Sequence, residues 1–360
     1  MMGRMTATMI SVDGGTVWAD DSGGDGPPLV LLHPGVGDSR IWDPVLPALA
    51  EKYRVIRYDA RGFGQSPAPT ERFSLLADLL TVLEHYDIGR AAVVGCSQGG
   101  GTALGLALER PERVPALVLL CPGIPGIPLD DDSDEGAVLG AEWERAEAAG
   151  DVDALASVTQ RVWGRAGATP EAMAQFRSSA RAVLATGDLE QEDPPVFDRL
   201  GEIAVPTSLL VGDADFAPLI EADKAAAARI PGCELILVPG MDHLPPLRDP
   251  DLVLQTITST LARASWLRAW RSRLRRAGTL AFPSSAEAAR DRGGIGGRGG
   301  GHGPFGQLVV VLNDALGGEH ADDQQRRADQ LGRAGGLAEQ RPRARQRDDR
   351  GQQHPRHHGA

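Results

Sequence analysis

Lysine is nearly missing from this chain: Lys52 and Lys224 stand alone among 360 residues, against 35 arginines. That imbalance reads as genome composition more than chemistry. Cysteine is scarce too. Cys96, Cys121 and Cys233 sit in apolar runs without the spacing of metal ligands, and an odd number without pairing logic points to reduced thiols in a cytoplasmic setting. No window approaches the roughly 18 apolar residues of a membrane span, and the first 15 residues lack the apolar stretch of a secretory signal. Stable membrane association is therefore not expected. Positive charge is short where nucleic acid would need it. Residues 1–264 carry a net charge of −19 and residues 265–360 one of +7, within the overall −12. An acidic body cannot supply the clustered cations that phosphate binding requires.

What is present alternates. Thr8–Val12 and Thr16–Ala19, joined by Asp13-Gly14-Gly15, read as an opening hairpin, because such turns need positive φ. Leu29–Leu32, Tyr53–Tyr58, Ala91–Gly95 and Ala116–Leu120 are short Val/Ile/Leu-rich strands. Between them Trp42–Ala50, Ser74–Tyr86 and Gly99–Glu109 carry apolar residues at helical spacing, with Leu75, Leu76, Leu79, Leu80 and Leu83 on one stripe. The implied fold class is α/β, a mostly parallel, doubly wound sheet with helices on both faces.

The alternation stops over residues 128–200, where Glu142–Ala149, Val152–Trp163 and Pro170–Val183 read as helices and no strand is visible. It resumes with Thr207–Val211, Leu219–Ile230, Glu234–Val238 and Leu252–Leu261. The expected organisation is a core in two parts, 1–127 and 201–264, interrupted by a helical lid, 128–200. Open α/β sheets bind ligands beyond the carboxyl ends of their strands, so a lid there would cover the site. Residues 265–360 are basic and Gly/Arg-rich, with only Leu308–Leu312 looking ordered, and disorder is expected.

The sharpest local signal is Gly95-Cys96-Ser97-Gln98-Gly99, a G-x-S-x-G between an apolar strand and an amphipathic helix. A strand that turns abruptly into a helix strains the residue at the turn and exposes its side chain at the sheet edge. Glycines two positions before and after remove the side chains that would collide there. A phosphate-binding loop is the competing reading, but neither G-x-G-x-x-G nor Gly-Lys-Ser/Thr is present. Ser97 is the candidate nucleophile.

Together with that elbow, Leu29–Pro69, Leu209–Pro218 and Val238–Pro246 resemble the α/β-hydrolase superfamily. Within it they are similar to lidded serine enzymes such as 3-oxoadipate enol-lactonases, carboxylesterases and cofactor-free haloperoxidases. The resemblance spans roughly residues 5–263. It implies a catalytic triad in the order Ser…Asp…His, and His243, 28 residues past Asp215, takes the place of the base. Asp213 and Asp215 compete as the acid, and the family's Gly-x-x-Asp spacing from Gly212 favours Asp215, leaving Asp213 to cap the turn. Asp242 is expected to point elsewhere, His85 to lie on the surface, and His33 to be structural. The resemblance places one oxyanion-hole N–H on Gln98 and the other on Gly35 or Val36, with Pro34 standing where the family has glycine. The run Asp59–Ser66 is assigned structure, not chemistry.

The function implied is hydrolysis of a carboxylic ester or lactone through an acyl-enzyme on Ser97, with a small acyl compound as substrate and no metal or organic cofactor. The same triad could cleave a carbon–carbon bond or form a peracid. A different class, a non-catalytic ligand-binding protein, could use the same fold. Trp42, Trp143, Trp163 and Phe176 are read as core, or as the wall of an apolar pocket.

Overall fold

The computed structural model describes residues 5–127, 129, 133–267 and 270. The order expected at Leu308–Leu312 lies outside the described residues, as does most of the disorder expected over 265–360; residues 265–267, within that range, are helical. The chain opens with the hairpin β1 (Thr6–Val12) and β2 (Gly15–Asp21), whose register pairs Val12 with Gly15 across Asp13-Gly14. Gly14 takes φ 66° there, the conformation the turn demands. β3 (Pro28–Leu32) follows.

The helix expected at Trp42–Ala50 is instead two pieces, a 3₁₀ turn at Ser39–Trp42 and the short α1 (Leu46–Ala50). Pro44 and Pro47 each lack the N–H of an i→i−4 bond, which divides the run. Then come β4 (Arg54–Tyr58), α2 (Leu75–His85), β5 (Ala92–Cys96), α3 (Gln98–Glu109) and β6 (Leu117–Leu120). Ser74 caps α2 by accepting from the Ala77 N–H.

Between β6 and the next strand lie α4 (Asp134–Ala148), α5 (Val152–Trp163) and α6 (Pro170–Thr186). α4 begins eight residues earlier than its apolar pattern indicates, because Ser133 caps it with Asp134 and Glu135 in the first turn. Asp151 and Thr169 cap α5 and α6 in the same way. The chain then resumes its alternation with β7 (Thr207–Gly212), α7 (Ala217–Arg229), β8 (Glu234–Val238), the single turn α8 (Pro245–Arg248) and α9 (Pro250–Arg263).

The eight strands form one sheet in the order β1-β2-β4-β3-β5-β6-β7-β8. The pairings β1–β2 and β2–β4 are antiparallel, and the other five are parallel. Every residue of β3, β5, β6 and β7 is buried, as expected of parallel strands covered on both faces. Trp42, Trp143, Trp163 and Phe176 are all buried in the principal hydrophobic core.

The crossing of β5 and α3 depends on two glycines. A Cβ on Gly95 would overlap the Gly99 carbonyl oxygen, and one on Gly99 would come within 2.5 Å of the Leu32 carbonyl oxygen. Because the obstacles are backbone atoms, they cannot rotate away. Gly95→Ala is expected to destabilise the fold by about 3 kcal/mol, at the upper end for overpacking, read as a fall in thermal midpoint by circular dichroism. A midpoint equal to that of the unsubstituted protein would refute the crowding argument.

Candidate active site

Ser97 occupies the elbow between β5 and α3 with φ 52° and ψ −119°, one of three non-glycine residues with positive φ among those described. The backbone around it is clamped. Its N–H donates to the Leu120 carbonyl at 2.9 Å, and its own carbonyl accepts from Gly100, Gly101 and Gly123. Although it stands at the N-cap position of α3, its side chain makes no capping bond. The Oγ is buried and has no hydrogen-bond partner. The positive end of the α3 dipole lies beside it and favours negative charge there.

Asp215 and His243 come from the loops after β7 and β8. Those loops are stitched together: Asp213 N–H donates to the Val238 carbonyl at 2.8 Å and Ala214 N–H to the Met241 carbonyl at 2.7 Å. The result places His243 Nδ1 2.9 Å from Asp215 Oδ2. Both side chains are fully buried. Burial pushes the Asp215 carboxyl up and the His243 imidazole down, so the ring is held unprotonated and fit to act as a base. His243 Nε2, like Ser97 Oγ, is buried without a partner. No hydrogen bond joins those two atoms, although the Cys96 thiol lies 3.9 Å from the His243 carbonyl and brings the two loops side by side.

The competing residues do other things. Asp213 accepts from the Gly240 N–H on an exposed turn. Asp242 is buried in an ion pair with Arg248 at 2.6 Å and accepts from the Ala166 N–H at 3.0 Å, tying the histidine loop to the segment after α5. His85 is exposed at the end of α2. His33 accepts from the Ala60 N–H at Nε2 (2.9 Å), so its Nδ1 carries the proton and donates to the Pro34 carbonyl, also at 2.9 Å. It is a brace between two loops.

The run Asp59–Ser66 is also bracing. Asp59 accepts from the N–H groups of Ser39 and Gln65, each at 2.8 Å, and buried Arg61 makes a two-toothed ion pair with Asp78.

The loop from His33 to Asp38 is gripped from above by α6. Gln175 accepts from the Asp38 N–H at 2.8 Å, Ser178 donates to the Asp38 carboxylate at 2.5 Å, and Ser179 donates to the Gly35 carbonyl at 2.7 Å. Burial opposes the charge on Asp38, but the Arg40 guanidinium and Ser178 hydroxyl overcome it and hold the carboxyl down at about 2. Gly35 faces Gln98 closely: a Cβ there would sit 3.2 Å from the Gln98 side-chain oxygen. Trp163, at the end of α5, leans on the His243 ring with centroids 4.3 Å apart, and its carbonyl accepts the His243 N–H. Trp163, read from sequence as core or as the wall of a pocket, therefore packs directly on the site. Ser97 is 1% exposed and His243 0%, so the helical insert and strand ends together shut the site from solvent.

Beside Gln98 a small, partly open pocket of about 10 Å³ is lined by His33, Tyr58, Leu75 and Thr102 among others. Gln98 Nε2 donates to Glu190 Oε1 at 2.9 Å, while Glu190 Oε2 is buried without a partner. Burial, reinforced by Asp193, pushes the Glu190 carboxyl from its ordinary 4.5 up to about 8. The folded state thus holds a proton that the unfolded chain releases, and stability falls as pH rises across that window. Glu190→Gln should remove this loss, raising the thermal midpoint at about pH 8.5 and leaving it unchanged at about pH 4.5. A midpoint gain equal at both pH values would overturn the assignment.

Among the described residues, donor atoms of Cys121, Asp215 and His243 form a group within 4.8 Å of one another that could hold a metal, but the 2.9 Å contact already occupies two of them. No described helix is long and apolar enough to cross a membrane.

Comparison with known proteins agrees with this fold. The family model described as "alpha/beta hydrolase fold" matches residues 27–160. An uncharacterized protein of Mycobacterium tuberculosis is 30% identical over 290 residues, 71% of this chain and 82% of that protein. A 2-hydroxymuconate semialdehyde hydrolase of Pseudomonas is 39% identical over 118 residues, 31% of this chain and 42% of that one. Among solved structures, the esterase RhEst1 from Rhodococcus is 26% identical, with a TM-score of 0.60 over 72% of this chain and 99% of that one.

Proposed function

The chain belongs to the α/β-hydrolase family, a family of hydrolases, and from that premise we propose that it cleaves a carboxylic ester or lactone through an acyl-enzyme on Ser97. The observation that carries this reading is the buried Asp215–His243 contact beside a strained serine with an unpartnered Oγ.

A serine hydroxyl is a weak nucleophile and needs a positioned base. With its Nδ1–H directed at Asp215, His243 presents the lone pair of Nε2. That nitrogen takes the proton from Ser97 Oγ as the oxygen attacks the acyl carbon, and then delivers it to the departing alcohol. Water repeats the sequence to release the acid. Asp215 holds the tautomer and stabilises the imidazolium as it forms. The developing oxyanion is met by the Gln98 N–H and by that of Gly35 or Val36. No hydrogen-bond acceptor among the described residues engages these three groups. Such donors are worth about 3–4 kcal/mol each in the transition state.

The helices α4, α5 and α6, within the segment 128–200, act as a lid in this reading. Ser97 is shut in, so substrate reaches it when the contacts from Gln175, Ser178 and Ser179 to the loop of residues 33–38 loosen. The likeness to a 2-hydroxymuconate semialdehyde hydrolase favours a second reading, cleavage of a carbon–carbon bond by the same three residues.

The deciding experiment is a turnover screen across ester acyl length, lactone ring size and vinylogous diketones, beside labelling of Ser97 by a fluorophosphonate. Turnover of esters or lactones supports the first reading, and turnover of diketones alone supports the second. Stoichiometric labelling with no turnover of any acyl compound would instead indicate a binding protein.

A further inference from the structure

Cys121 follows β6 directly and is one of the three non-glycine residues at positive φ among those described, at 45°. Its N–H donates to the Leu210 carbonyl at 2.7 Å, pinning the end of β6 to β7. The left-handed turn is uncommon for a residue with a side chain, and strain of this kind gathers at functional sites. The thiol is fully buried, within 4.8 Å of the donor atoms of both Asp215 and His243.

Asp215 directs Oδ2 at the His243 ring nitrogen. Its other oxygen, Oδ1, lies 2.9 Å from the same nitrogen, yet it is buried with no hydrogen-bond partner of any kind. A buried carboxylate oxygen without a donor is costly. We propose that Cys121 is a positioning residue of the triad: its thiol, within 4.8 Å, turns to donate its S–H to the unpartnered Asp215 Oδ1, keeping that carboxylate ionised and turned toward His243. The proposal rests on the hydrolase reading above.

The surroundings leave this task to the thiol. Around Asp215 stand His243 and Asp242 from the loop after β8, Asp223 from α7, and Arg165 from the segment after α5. Asp242 and Asp223 disfavour its charge, while Arg165 and the Cys121 thiol favour it. Burial, together with Asp215 itself, pushes the Cys121 thiol well up, so it remains a protonated donor at neutral pH.

The test follows the rate of fluorophosphonate labelling at Ser97 from about pH 5 to 9 in the full chain and in C121A and C121S. Loss of a hydrogen bond to a buried carboxylate should slow C121A about tenfold at pH 7 and move its acid limb up by about one pH unit. The sign follows from the chemistry: without the donor the carboxyl ionises at higher pH. C121S keeps a donor and should retain the limb of the unsubstituted protein.

A C121A protein with lowered thermal midpoint but an unmoved acid limb would mean that the thiol only fills space, which overturns the proposal. So would a C121S protein as slow as C121A. If C121A does not fold, the C121S limb decides alone. Failure of the unsubstituted protein to label at any pH would sink the hydrolase reading and this proposal together; labelling identical in all three sinks this proposal only.

Discussion

Ser97→Ala is expected to lower kcat/KM on any ester the protein turns over by a factor on the order of 10⁵ to 10⁶, the loss seen when a triad nucleophile is removed. The argument is geometric. Ser97 Oγ is buried and unpartnered, and the backbone that aims it is clamped by four main-chain hydrogen bonds, one from its own N–H and three to its carbonyl. Alanine keeps that backbone and deletes only the reacting atom. The thermal midpoint should therefore stay within about 2 °C, because no hydrogen bond is lost and the strain at φ 52° is retained. Ser97→Gly should be equally inactive but more stable by about 1 kcal/mol, since glycine adopts that conformation without strain. Steady-state kinetics with differential scanning calorimetry on both variants would check the pair of expectations. Full esterase activity in Ser97→Ala would remove the nucleophile assignment.

The second large effect concerns the acid. Asp215→Asn should reduce kcat by a factor on the order of 10⁴, comparable to the same change in serine proteases. An amide facing His243 Nδ1 can present its N–H₂ instead of an acceptor. The ring then puts its proton on Nε2, where the base needs a lone pair. The control is Asp213→Asn, two residues away. Asp213 serves only a main-chain turn at Gly240, so activity there should change by less than about threefold. Kinetics on the two variants side by side separate the candidates, and an inactive Asp213→Asn with an active Asp215→Asn would reverse the assignment.

Some of this was legible in the sequence because it is local. Gly95 and Gly99 crowd against backbone atoms, which allows almost no other residue, so the elbow announces itself in five letters. The strands and the helices after Ser74, Asp151 and Thr169 are marked by apolar period and caps. The Trp42–Ala50 segment misled because its apolar spacing is helical while two prolines break the backbone ladder. Asp213 and Asp215 could not be separated on residue type. Their difference arises where the loops after β7 and β8 cross, and the spacing from Gly212 favoured Asp215 only through resemblance to a family.

Other features carried no local mark. Cys121 looks like any apolar strand end, and its place against Asp215 follows from β6 and β7 ending at the same level of the sheet. Gln175, Ser178 and Ser179 lie one turn apart on α6, a buried polar face that makes sense only once the loop of residues 33–38 lies beneath it. Glu190 reads as a surface acid until the chain folds it against Gln98.

The amino-acid order alone determined the alternating α/β plan and the strained serine, since both follow from steric and hydrophobic rules acting over a few neighbouring residues. Tertiary structure alone decided which carboxylate meets the imidazole, what holds that carboxylate, and how far burial moves their protonation. Those are properties of strand ends far apart in the chain and of the low-dielectric space they enclose, and no short stretch of residues encodes either.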